Sequence, residues 1–139
     1  MSRDDSDFSK LFDIAKHFAM EGRSVTLVPK MRRPQVFEYY SIYGALVGTP
    51  FEGKCPDMFV DGKWYEYEGF ITKNPKRAFS NMLNRGLKQS DRLIIEKPNL
   101  SEAYIKRVIY QRIREGQMIR EIIIWNGEKL ELVYKKFEG

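Results

Sequence analysis

The sequence predicts an α/β fold: one compact domain with a mixed central β-sheet, flanking helices and a restriction-endonuclease-like layout. Three observations carry that expectation. Segments with helical and with strand periodicity alternate along 139 residues, a length that suits one core and one domain, 1–139. Two tight-turn dipeptides, Asp61-Gly62 and Asn126-Gly127, each sit between strand-like runs. No internal repeat or low-complexity tract interrupts the pattern, so a layered α/β arrangement follows.

Taken in order, Asp7 to Met20 places Phe8, Leu11, Phe12, Ala15, Phe18 and Ala19 at helical spacing, with Gly22 where a C-terminal cap belongs. Ser24 to Val28 reads as a short strand ended by Pro29 and the basic loop Lys30 to Pro34. From Gln35 to Phe51 the chain is aromatic (Phe37, Tyr39, Tyr40, Tyr43) and then broken by Gly44, Gly48 and Pro50; no element is assigned. Two readings stay open there: stacking on unpaired bases beside Arg32 and Arg33, or a satellite core beneath a loop. Met58 to Val60 and Lys63 to Glu68 form a hairpin about Asp61-Gly62.

Asn74 caps a helix that opens on Pro75 and runs to about Gln89, with Ala78, Phe79, Met82, Leu83 and Leu87 as its apolar stripe. Asp91 to Glu96 is a strand of buried type. Ser101 then caps a helix striped by Ile105, Val108, Ile109 and Ile113 and stopped at Gly116. Arg120–Trp125 and Lys129–Tyr134 close the chain as a second hairpin.

Composition narrows the class. Hydrophobic content of 42% with 14% aromatic residues supports an ordered core, and 31% charged residues a polar surface. Neither a membrane span nor a secretory leader is visible, so a cytoplasmic protein with no membrane partner is expected. A single cysteine, Cys55, leaves no internal disulfide and no cysteine-based zinc cluster. One histidine, His17, rules out histidine-pair metal sites and two-histidine acid-base schemes. Glycine-rich phosphate loops are absent. The net charge is +5, yet between Ile71 and Gly116 eleven Lys and Arg face four acids, a local +7 that suits a polyanion.

The first hairpin carries the chemistry. Counting outward from Asp61-Gly62 sets Phe59 opposite Trp64, Met58 opposite Tyr65, and Asp57 opposite Glu66. Side chains so paired stand about 5 Å apart, where like charges repel. A divalent cation relieves them. Glu68 follows on the same face, making three acids a candidate site for Mg²⁺ or Mn²⁺ with Asp57 and Glu66 as ligands. The competing reading is a polar face whose acids pair with nearby Lys and Arg. Phe59 and Trp64 share that face, as core or as a base platform.

Pro56-Asp57 on one strand and Glu66 on the next, preceded by a helix-Gly-strand opening (Ala15 to Gly22, then Val25-Thr26-Leu27), resemble the PD-(D/E)XK nuclease superfamily. Lys88-Gln89 before Asp91 to Ile95, and the late Ile-rich strand up to Asn126-Gly127, extend the likeness to the C-terminal tRNA-nuclease domain of contact-dependent growth-inhibition toxins. The resemblance implies a toxin-type, metal-dependent phosphodiesterase on RNA, more than DNA, with tRNA favoured, in which Asp57 and Glu66 bind metal and Gln89 is an accessory polar residue. Lys73, Lys76, Arg77, Arg85, Lys88 and Gln89 would meet the nucleic acid, and an immunity or other partner protein is a further expectation.

The superfamily lysine two residues beyond the second acid is Glu68 here. Three consequences stay open: a lysine from elsewhere (Lys73, Lys88 or Lys54) reaches the site, Glu68 becomes a further ligand, or the domain binds without cutting. Asp13 on the opening helix is the one acid placed to add to the set.

Overall fold

Apolar alternation and helical stripes build a six-stranded sheet, and the computed structural model describes residues 5–28, 36–70 and 73–137 of it. Strands β1 (Val25–Leu27), β2 (Met58–Val60), β3 (Lys63–Glu68), β4 (Arg92–Glu96), β5 (Glu121–Trp125) and β6 (Leu130–Lys135) lie side by side in sequence order. β1, β2 and β3 form an antiparallel meander; β3, β4 and β5 run parallel; β6 returns antiparallel. The parallel steps need crossovers, supplied by helices α3 (Pro75–Gly86) and α4 (Glu102–Arg114). The first is capped by the Asn74 carboxamide, which accepts from Arg77 N at 3.0 Å, and the second by the Ser101 hydroxyl.

Strand side chains alternate between two covered faces. On one, Met58, Val60, Tyr65, Tyr67, Ile94, Ile123 and Trp125 pack against Leu11, Ile14 and Phe18 of helix α1 (Asp5–Met20). On the other, Leu93, Ile95, Ile122 and Ile124 meet Phe79, Met82 and Leu83 of α3 and Ile105 and Ile109 of α4. The expected stripe of α1 is displaced: Ile14 is fully buried, whereas Phe8 and Phe12 are about half exposed. The stripes of α3 and α4 match expectation, with Val108 and Ile113 only partly buried.

Both hairpins form, with different loops. Asp61 (φ +49°) and Gly62 (φ +83°) make the two-residue turn, and Val60↔Lys63, Phe59↔Trp64 and Met58↔Tyr65 fall in the expected register. At the second, Trp125 pairs with Leu130, so Asn126 to Lys129 form a four-residue loop rather than a two-residue turn. The Asn126 carboxamide oxygen explains it, accepting from Glu128 N and Lys129 N at 2.8 and 2.9 Å. From Ile123 to Trp125 the register is shifted by two residues, which keeps those side chains on their faces and places Leu130 rather than a glutamate opposite Trp125; a bulge between Ile122 and Ile123 changes it beyond.

The unassigned aromatic segment contains a helix, α2 (Val36–Tyr43), followed by a 3₁₀ turn (Gly44–Leu46). Tyr39, Tyr43 and Leu46 bury against Trp64, with Phe51, Cys55 and Phe59 around them. This is the satellite core. The base-stacking alternative depended on Arg32 and Arg33, which lie outside the described residues, as does the basic loop around them.

Candidate functional site

The site begins where the first hairpin opens. Asp57 stands just before β2, its N–H donating to Tyr65 O at 3.0 Å and its carboxylate accepting from Tyr67 N at 2.8 Å. Its side chain therefore occupies the place of a ladder carbonyl. Glu66 is the next residue after Tyr65 on β3, and both acids are at most 2% exposed. Burying two carboxylates side by side is costly unless positive charge or protons compensate.

Helix α2 fixes the approach to this pair. Tyr43 donates to Pro56 O at 3.1 Å, while Tyr39 donates to Lys54 O at 2.8 Å and accepts from Gly53 N at 2.7 Å. Tyr39 stacks on Tyr43 at 5.1 Å, and Tyr43 packs on Trp64 at 4.5 Å between ring centres. Tyrosines thus hold the irregular segment immediately ahead of Asp57. Burial above all, then the negative charge of Cys55, Asp57 and Glu66, holds the Tyr43 hydroxyl well above its ordinary range.

Glu68, the third expected acid, is otherwise engaged. Its Oε1 accepts from Arg85 Nε at 2.8 Å, and Arg85 Nη2 donates to Gly69 O at 2.9 Å. The Glu68 side chain is 12% exposed against 33% for Arg85, so the cation reaches in from the rim. Burial raises the Glu68 carboxyl above its usual range; the Arg85 guanidinium and a hydrogen bond with Glu66 pull it down, and the Asp57 charge pushes it up again. Gly86, next to Arg85, makes this approach possible: a Cβ there would meet Leu93 Cδ2 at 2.8 Å and Glu68 Cγ at 3.1 Å.

The cation beside Glu68 is thus an arginine. Of the lysines considered, Lys54, Lys73 and Lys88 are all exposed. Arg85 was expected to meet nucleic acid, and its pairing with Glu68 went unread because nothing local in the sequence brings the end of α3 over β3. Gln89 sits at the same end of α3, its carboxamide oxygen 3.4 Å from Cys55 N. Lys88 lies beside it, whereas Lys73, Lys76 and Arg77 cluster at the other end of the helix. Those six residues therefore form two groups. Near the second is a cavity of about 710 Å³ lined by Phe70, Lys73, Pro75, Ala78, Lys97 and Leu100, separate from the carboxylates.

One other expectation is corrected. Asp13 is exposed on α1, which covers the opposite sheet face, and it lines a cavity with Lys10 and Glu96 rather than joining Asp57. His17 is half-buried on the same helix with its ring 4.9 Å from that of Trp125, across the sheet from the acids.

Among the described residues no group of three or more His, Cys, Asp and Glu side chains could hold a metal ion. The set of three acids therefore reduces to two, Asp57 and Glu66, with Glu68 turned to Arg85. Two carboxylates still suit Mg²⁺ or Mn²⁺, hard ions that need only one or two protein oxygens and keep water or phosphate in their other positions. No helix among the described residues is long and apolar enough to cross a membrane. No protein-family model, curated protein or solved structure significantly matches this chain.

Proposed function

We propose that this domain is a metal-dependent phosphodiesterase acting on RNA, with tRNA the favoured substrate. The observation that carries the reading is the burial of Asp57 and Glu66 side by side at the open end of a hairpin, with Arg85 at the rim. The order of elements, a helix, a three-strand meander, a crossover helix and a parallel strand, supports the likeness to PD-(D/E)XK nucleases drawn from the sequence.

Asp57 and Glu66 would hold Mg²⁺ or Mn²⁺, which when bound supplies Lewis-acid activation of water and charge neutralisation at the phosphate. The chain's own residues do the rest. The Tyr67 N–H fixes the Asp57 carboxylate, and the tyrosines of α2 hold its backbone. Arg85 offers a guanidinium matched to a phosphate, and Lys88 and Gln89 extend that polar rim. Loss of tRNA cleavage in EDTA and in Asp57→Ala is the expected result; cleavage surviving both eliminates the mechanism.

A second reading is favoured by Glu68 standing in place of the superfamily lysine: a silent domain that binds nucleic acid, or a partner protein, through the same basic surface. Its signature is retention of RNA in low salt without cutting in Mg²⁺ or Mn²⁺, and gain of cutting in Glu68→Lys.

A further inference from the structure

We propose that the cavity of about 710 Å³ at the start of α3 binds an aromatic phosphate monoester, the chemistry of a nucleoside monophosphate. It stands apart from the carboxylates and is independent of the nuclease reading. The cavity lies where parallel sheets take their ligands, beyond the carboxyl ends of adjacent parallel strands. Phe70 and Lys73 follow β3 and lead into α3, while Lys97, Pro98 and Leu100 follow β4 and lead into α4. Backbone contacts hold both walls: Phe70 N donates to Glu96 Oε1 at 3.3 Å, Lys97 N to Trp125 O at 2.8 Å and Leu100 N to Pro98 O at 2.8 Å. The volume falls within the range of roughly 300–1,000 Å³ usual for small-molecule sites.

The lining sets the ligand's chemistry. Pro75, Pro98 and Leu100 give apolar walls, and Phe70, 45% exposed, offers an aromatic ring on which a base can stack. Lys73 and Lys97 bring two positive charges, and among the described residues no acid lines the cavity. Three acids near these loops in sequence are spent on other cations: Glu68 on Arg85, Glu96 on Lys10 and Glu102 on Lys106. The helix starts are partly spent as well, since the Asn74 carboxamide takes Arg77 N and the Ser101 hydroxyl takes Tyr104 N. The lysines must therefore hold the anion. A phosphate monoester carries about 1.5 to 2 negative charges at neutral pH and matches the pair, whereas an internal phosphodiester carries about one.

The test is calorimetric titration of the protein with adenosine monophosphate (AMP), adenosine and inorganic phosphate. AMP should bind at least roughly tenfold tighter than either fragment, because only it meets both the lysines and the aromatic wall. Lys73→Ala combined with Lys97→Ala, both exposed positions that should fold, should weaken AMP roughly tenfold. Phe70→Ala should weaken AMP by a similar factor and leave inorganic phosphate unchanged. AMP binding no tighter than that of inorganic phosphate, or unmoved by the lysine pair, overturns the proposal. AMP binding lost in Arg85→Ala and kept in the lysine pair puts the nucleotide at the carboxylates and overturns it too. A monoester has two sources, a free nucleotide and the 5′ end of an RNA. Displacement of AMP by a 5′-phosphorylated trinucleotide, and not by its unphosphorylated counterpart, assigns the RNA end; displacement by neither assigns the free nucleotide. Equal displacement by both refutes the demand for a monoester.

Discussion

At the scale of single residues, the charged groups inside this protein fall into two arrangements whose pH dependence has one sign in two different windows. On the α1 face, Glu121 accepts from Arg92 Nη1 at 3.2 Å and from the Tyr65 hydroxyl at 2.7 Å, all three being buried. Removing one partner strands the others, so Glu121→Ala should cost about 3–5 kcal/mol in chemical denaturation, the usual cost of breaking a buried pair. Burial, then the Glu121 carboxylate, pushes the Tyr65 hydroxyl up to about 12. A group raised on folding stabilises fully below its unfolded value, about 10 for tyrosine, and loses that contribution as pH rises through the folded one. Denaturation midpoints should therefore fall between about pH 10 and 12, and fall less in Tyr65→Phe. Glu68 carries the same sign at a lower window: its raised carboxyl costs stability once pH exceeds the ordinary glutamate range. Glu68→Gln should accordingly be more stable than the parent at neutral pH, the gain vanishing as pH falls toward about 4.3. A destabilised Glu68→Gln at neutral pH would show that Arg85 outweighs burial.

Elements show which parts of the structure were legible in the sequence. The first hairpin was readable from Met58 to Tyr65, because Asp61-Gly62 fixes a turn and a turn fixes a register; Asp57 lies one residue beyond that ladder, with its N–H on Tyr65 O. Helix α3 was equally clear, since Asn74-Pro75 and the stripe from Ala78 to Leu87 agree. Asn74→Ala should cost about 1 kcal/mol through loss of the cap. Helix α2 was missed: its tyrosines carry no strong helical period, and what orders them is the contact with Trp64 and the carbonyls of Lys54 and Pro56, which are distant in sequence. The Arg85–Glu68 pair was illegible for the same reason, as it depends on how α3 crosses β3 and β4. Gly86 sets that crossing. Alanine in the interior of a helix normally stabilises by about 0.5–1 kcal/mol over glycine. Here the new methyl would stand 2.8 Å from a Leu93 side chain locked in the core, so overpacking should win and Gly86→Ala should lose about 1–3 kcal/mol. The same substitution should displace Glu68, whose Cγ is 3.1 Å from the added carbon, and thereby loosen its pairing with Arg85.

For the whole molecule, the question is where a polyanion would lie on a chain of net charge +5 whose excess is concentrated between Ile71 and Gly116. Many of those cations are committed elsewhere: Arg112 donates to Asn84 and Ser80, Arg92 pairs with Glu121, and Lys76 and Arg107 both sit over the Tyr104 ring, at 5.3 and 5.2 Å. Net charge therefore overstates the interface. The expected contacts divide between the two ends of α3, which twelve residues separate by roughly 18 Å. Chemistry at Asp57 and Glu66 requires the scissile phosphate at the Arg85 end, and a strand reaching Lys73, Lys76 and Arg77 would have to continue along the helix. Salt dependence distinguishes these paths, because each phosphate contact on a single strand contributes about 0.7 to the slope of log affinity against log salt. Arg85→Ala with Lys88→Ala should flatten that slope by about 1.4 and weaken binding of a labelled oligoribonucleotide at low salt. Combined alanine substitution of Lys73, Lys76 and Arg77 should flatten it by up to about 2 for an oligonucleotide long enough to span α3, and leave a trinucleotide unaffected. Trinucleotide binding lost with the Lys73 group but kept without Arg85 and Lys88 would put the polyanion by the cavity at the start of α3, away from the carboxylates, and the nuclease reading would fail with it.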